Sequence, residues 1–178
     1  MVNADAQEGW ESRVEPWQPG TEPPAGLLQS WRASRAPFVR VVGVEVLRVG
    51  DVIAPDVLAV LREWGIPTGP VLINVPRRCV EVLVPLGSSA TWPPLPYTRC
   101  VPTALMRCPA PDITRDSARW REGRTWAMPP GAGPETTSAA VLAEIVPEAR
   151  RRAEVRRLVA DGPTGRARRR HSREGQQS

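Results

Sequence analysis

Between Arg40 and Val84 the chain reads RVVGVEVLRVGDVIAPDVLAVLREWGIPTGPVLINVPRRCVEVLV, and this succession of apolar runs around one amphipathic segment restricts the fold more than any other stretch. From Phe38 to Leu47 the density of valine suits a strand buried on at least one face, interrupted by Gly43 and Glu45. Pro55 and Asp56 then open a helix, because proline at the first helical position forfeits only an N–H that would have had no partner. Val57, Leu58, Leu61 and Trp64 follow at i, i+1, i+4 and i+7, which makes one apolar face. Gly65 and Pro67 end that helix. Val71–Val75 and Cys79–Val84 read as two further strands, with Pro76, Arg77 and Arg78 marking the turn. A strand, a crossover helix and a hairpin predict an α+β fold, a small mixed sheet with the helix packed on one face.

The flanking segments are arranged around this unit. Residues 1–36 carry Pro16, Pro19, Pro23 and Pro24, scattered acids and three tryptophans, Trp10, Trp17 and Trp31, without a period of 2 or 3.6. They read as a disordered acidic arm. The α/β domain spans 37–131 around a single core. Within it, Pro85–Pro96 is a loop and Cys100–Met106 is an edge strand because of Pro102. Arg124–Met128 is a short strand ended by Pro129, Pro130 and Gly131. Residues 134–161 form a helical extension. Thr136 or Thr137 caps it, Val141, Leu142 and Ile145 give its apolar face, and Pro147 kinks it or starts a second helix through Ala160. In that second part Val155, Leu158 and Val159 make a narrow apolar stripe. Residues 162–178 are read as an arginine-rich disordered tail.

No lysine occurs, so all 24 basic residues are arginine. That excludes a phosphate-loop lysine, a Schiff-base lysine and a Ser-Lys dyad. The net charge of +5 is unevenly spread: residues 1–31 hold five acids against Arg13, whereas residues 150–173 hold ten arginines against Glu154 and Asp161. Arg150, Arg151, Arg156 and Arg157 on the helix, with Arg166, Arg168, Arg169 and Arg170 in the tail, are the candidate phosphate-contacting residues for DNA or RNA. An acidic protein surface is the other partner such a stretch would suit, and a solvated tail without a partner is the plainest reading. Cys79, Cys100 and Cys108 are odd in number, and no leader-like stretch precedes the domain, so a reducing cytoplasm is expected. The apolar runs fall short of the roughly 20 residues a membrane helix needs.

His171, the only histidine, lies in the tail, which cannot hold it rigidly against a nucleophile. The three cysteines and His171 lack zinc-ligand spacing, so no metal and no cofactor is expected. Metal-dependent phosphoryl transfer would need converging carboxylates. Glu45 in the first strand, followed by Asp51 and Asp56, supplies acids in the right region, although Leu47 stands two residues after Glu45 where a second acid on the same strand face would have to be.

The order VVGVEVL, helix, TGPVLINVPRRCVEVLVPLGSSATW and WREGRTWAMPPG resembles the N-terminal domain of the bifunctional DNA primase/polymerase family, within the archaeo-eukaryotic primase superfamily. It looks closest to the small actinobacterial members, over roughly half the chain. The resemblance implies paired metal-binding acids on the first strand, a histidine on the hairpin and a third acid near the last segment. Here only Glu45 occupies the paired-acid position, Cys79 and Val80 stand where the histidine belongs, and Glu122 is the one acid near the third position. The resemblance therefore implies a non-catalytic relative. Three functions follow in order: a non-enzymatic module binding nucleic acid or an acidic partner, a protein-interaction module presenting a sheet edge or the loop around Trp92, and a residual nucleotidyltransferase using Glu45, Asp51 and Glu122.

Overall fold

Gly43 has φ of +76°, a conformation that costs glycine little, and the valine-rich run bends there. A Cβ at this position would also stand 2.8 Å from the Gln18 side chain. The run predicted as one strand is consequently two, β2 (Phe38–Val41) and β3 (Glu45–Gly50), which belong to different sheets. The computed structural model describes residues 14–102 and 104–161.

The other strands are β1 (Pro16–Trp17), β4 (Val71–Asn74), β5 (Cys79–Val84), β6 (Thr98–Val101), β7 (Ala104–Arg107) and β8 (Arg124–Met128). The helices are α1 (Ala25–Arg32), α2 (Ala54–Glu63), the one-turn α3 (Ser88–Thr91) and α4 (Ala139–Asp161). The fold is α+β. A five-stranded antiparallel sheet, in the order β6-β3-β5-β4-β8, lies beside a three-stranded sheet, β1-β2-β7, in which β1 runs parallel to β2. β3 and β4 point the same way with β5 inserted between them, so β3-α2-β4 is a crossover unit split by the hairpin strand. The segment predicted as a strand from Cys100 to Met106 is likewise divided, β6 and β7 going to edges of separate sheets on either side of Pro102.

The five-stranded sheet is the middle layer, and the single core expected is two. On one face Leu47, Val49, Val71, Val80, Val82 and Val84 pack against α2 and α4. α2 starts at Ala54, which puts Pro55 at its second residue. Val57, Val60 and Leu61 of α2 are buried, each contributing about 2 kcal/mol. Trp64, expected on that face, follows the last helical residue and is exposed. α4 contributes Leu142, Ile145, Val146, Ala149 and Ala153, an i, i+3, i+4, i+7, i+11 stripe. It runs unbroken through Pro147, whose position faces solvent so that the carbonyl left without a donor can be hydrated. Ser138 rather than Thr136 or Thr137 stands at its start, its hydroxyl accepting from Val141 N–H, while buried Thr137 accepts from Gly69 N–H at 3.0 Å. Val155, Leu158 and Val159 lie beyond the core and are exposed.

On the other face Val46, Leu72, Leu83, Val101 and Trp126 meet Val39, Val41 and Met106 of the smaller sheet. Residues 14–36, expected within a disordered arm, complete this layer instead. Trp17 and Leu27 are buried, and Trp17 meets Trp31 edge-to-face with ring centroids 5.5 Å apart. Trp31 donates its indole N–H to the Cys108 carbonyl at 2.9 Å. Trp10 and residues 1–13 lie outside the described residues, as does the tail from 162 onward.

Candidate functional site

The three candidate acids each have a local partner, and none faces another. Glu45 opens β3 and is buried; its Oε2 accepts from the Ser89 N–H at 2.6 Å, at the start of α3, where helix N–H groups lack internal partners. Asp51 follows the opposite end of β3, about 20 Å along the strand, and accepts from Arg78 Nε at 2.9 Å. Glu122 occupies the Glu122-Gly123 turn, with φ of +49° and +74°, and pairs with Arg107 at 2.8 Å. Among the described residues no three His, Cys, Asp or Glu side chains are grouped to hold a metal.

The thiols are unsuited to nucleophilic work. Burial, then the nearby Glu81 carboxylate, push Cys79 up to about 11. Burial and Glu45 push Cys100 up to about 11. Fully buried Cys108 is pushed higher still by burial first.

The side chains that do converge are cationic. On the sheet face opposite α2 and α4, Arg99 of β6 stands directly across from Arg48 of β3, and Arg48 directly across from Glu81 of β5. Glu81 is fully buried; it accepts from Arg48 Nε at 3.2 Å and from Asn74 Nδ2 at 3.0 Å. The β4–β5 turn is tied by Arg77 N–H donating to Asn74 Oδ1 at 3.3 Å, and Arg78 closes it at φ of +53°. That geometry presents Arg77 and Arg78 beside Arg48 and Arg99 in an open groove of about 500 Å³, with Tyr97 at its rim.

Tyr97 and Arg78 also line a second groove, of about 780 Å³, between the end of β3 and the last turns of α4. Arg150, Arg156 and Arg157 enter it, together with Asp51 and Glu154. Arg156 donates to the Val52 carbonyl at 3.0 Å and lies 2.8 Å from Asp56 Oδ2, without hydrogen-bond alignment to that carboxylate. The two grooves share Arg78 and Tyr97, so they form one surface carrying seven arginines and two carboxylates.

Of the arginines predicted to contact phosphate, Arg150, Arg156 and Arg157 thus share a groove. Arg151 does not line it and is paired with Glu148 one turn back. Arg166, Arg168, Arg169 and Arg170 lie outside the described residues. Arg48, Arg77, Arg78, Arg99 and Tyr97 are not among the contact residues expected from sequence. Only Arg77-Arg78 had a local signal, as a basic pair in a turn; Arg48 and Arg99 become neighbours through strand pairing alone. No protein-family model, no curated protein and no solved structure matches this chain.

Proposed function

We propose that the protein is a non-catalytic, primase/polymerase-like module that binds nucleic acid through this arginine surface. The observation that carries the reading is the convergence of seven arginines, from β3, the β4–β5 turn, β6 and α4, on two adjoining grooves with only two acids. Guanidinium is planar and permanently charged, and it meets phosphate oxygens in pairs, so such a surface gains affinity by displacing counterions from a nucleic-acid backbone. Arg166, Arg168, Arg169 and Arg170 follow α4 in the chain and extend the same charge.

The placement of the acids supports a non-catalytic role. Glu45 is committed to the Ser89 N–H, Asp51 and Glu122 are committed to arginines, and Glu45 and Asp51 stand at opposite ends of β3. No described helix is long and apolar enough to cross a membrane, and the three cysteines are free thiols, which suits the reducing cytoplasm in which we place the protein.

The test is the affinity of the full chain for a labelled oligonucleotide across a salt series. We expect log K to fall linearly with log salt, a Arg150→Glu/Arg157→Glu variant to bind more weakly, and removal of residues 163–178 to shallow the slope. Affinity that ignores salt overturns the reading. Equal binding of polyglutamate would redirect it to acidic protein surfaces.

A further inference from the structure

Tyr97 sits where the two grooves meet, and it is the only tyrosine of the chain. Its residue is 54% exposed, and among the described residues its ring stacks on nothing and its hydroxyl has no hydrogen-bond partner. A core side chain would not be left so.

Its backbone is also unusual. Tyr97 has φ of +63°, a region that bulky side chains rarely enter because Cβ crowds the carbonyl. The surroundings hold it there: the Tyr97 carbonyl accepts from Gly50 N–H at 2.8 Å, and next to it Thr98 donates to the Leu95 carbonyl while accepting from Trp92 Nε1. Strain kept in place by neighbouring hydrogen bonds is a feature of sites that orient a side chain for a partner.

The charges beside the ring complete the pattern. Arg99 lies two residues on, in β6, directly opposite Arg48, and like charges in directly opposed strand positions repel. Glu81 neutralises Arg48 from the far side, but Arg99 has no ion-pair partner among the described residues. An anion lying over this pair would relieve the repulsion.

Resting on the nucleic-acid reading, we infer that Tyr97 stacks on an unpaired nucleobase while Arg48, Arg77, Arg78 and Arg99 hold the adjoining phosphates, so the surface takes single strands in preference to duplex. In a duplex the base faces are already stacked on their neighbours and closed to a side chain. A base next to phosphate is offered by a strand and by a free nucleotide alike, and the experiment separates these sources.

Fluorescence anisotropy of the full chain would be measured with an oligothymidylate of about 12 nucleotides, with the duplex of equal length, and with thymidine monophosphate as competitor. The expected results are tighter binding of the single strand, about tenfold weaker single-strand binding by Tyr97→Gly, and unchanged duplex binding by that variant. Tyr97→Trp retains affinity. Glycine accepts the positive φ, so Tyr97→Gly is expected to keep the melting temperature, which separates loss of stacking from loss of fold. Competition by the monophosphate at equal occupancy supports the same stacking site as a nucleotide pocket, whereas failure to compete supports an extended strand. Single-strand binding by Tyr97→Gly equal to that of the parent, or preference for duplex, overturns the inference and leaves the nucleic-acid reading standing. Binding of neither polymer overturns both.

Discussion

The carboxylate of Glu45 and the backbone N–H of Ser89 are joined by a 2.6 Å hydrogen bond that ties the first residue of β3 to the start of α3. A buried carboxylate on an otherwise unpartnered helix N–H has a structural role, whatever chemistry its place in the strand suggests. Glu45→Ala should lower stability by about 2 kcal/mol in urea denaturation while leaving oligonucleotide affinity in place. A loss of binding with unchanged stability would return Glu45 to the functional site.

Glu81 holds the basic row together from beneath. It is fully buried, and Arg48 and Asn74 both donate to it. Glu81→Ala strips Arg48 of its counter-charge and leaves Asn74 Nδ2 without an acceptor, so we expect a loss of about 3 kcal/mol or more. Pairing it with Arg48→Ala should recover part of that loss, which a double-mutant cycle would read as coupling.

Trp17 and Trp31, ahead of β2, belong to the fold. Trp17, in β1 of the smaller sheet, is buried, and Trp31 is fixed by its edge-to-face contact and its bond to the Cys108 carbonyl. Trp17→Ala is expected to cost about 3 kcal/mol or more by leaving a cavity, and truncation to residue 37 to abolish cooperative unfolding. A chain beginning at 37 that melts like the parent would refute the placement of this layer.

The thiols set an alkaline limit. Cys79 and Cys100 are pushed up to about 11 from an ordinary value near 9. Above pH 9 an unfolded chain sheds thiol protons that the folded chain retains, so the contribution to stability is complete below about pH 9 and is lost as the pH approaches 11. Melting temperature should fall over that window, less so in Cys79→Ser/Cys100→Ser. Iodoacetamide should label Cys79 slowly at neutral pH and faster as pH rises, with Cys108 reacting only on unfolding.

Arg151 and Arg150 are adjacent on α4 but differ in place, since only Arg150 lines the groove. Arg150→Ala and Arg99→Ala should each reduce the salt slope of oligonucleotide binding by about 1, while Arg151→Ala, which removes a partner of Glu148, should leave it unchanged. Equal effects from all three would mean that total charge matters and the grooves do not.

What sequence alone determined are the features that follow from local chemistry. The hairpin from Val71 to Val84, the helix after Pro55, the stop at Gly65 and the short strand Arg124–Met128 come from alternation, turn residues and apolar spacing within a few positions of one another. The arginine-only basicity and the leucine, not an acid, two residues after Glu45 are likewise read directly from the chain. The tertiary structure decided whatever depends on which strand lies beside which. Valines on either side of Gly43 look like one strand because propensity does not say which sheet each half joins. Trp17, Leu27 and Trp31 lie in elements too short to establish a period, and what covers them is β2, β7 and Cys108 rather than their own helix or strand. The basic surface belongs to this second class: Arg48, Arg99 and the β4–β5 turn are distant in sequence, and antiparallel pairing sets them beside Tyr97 and α4, where their charges add.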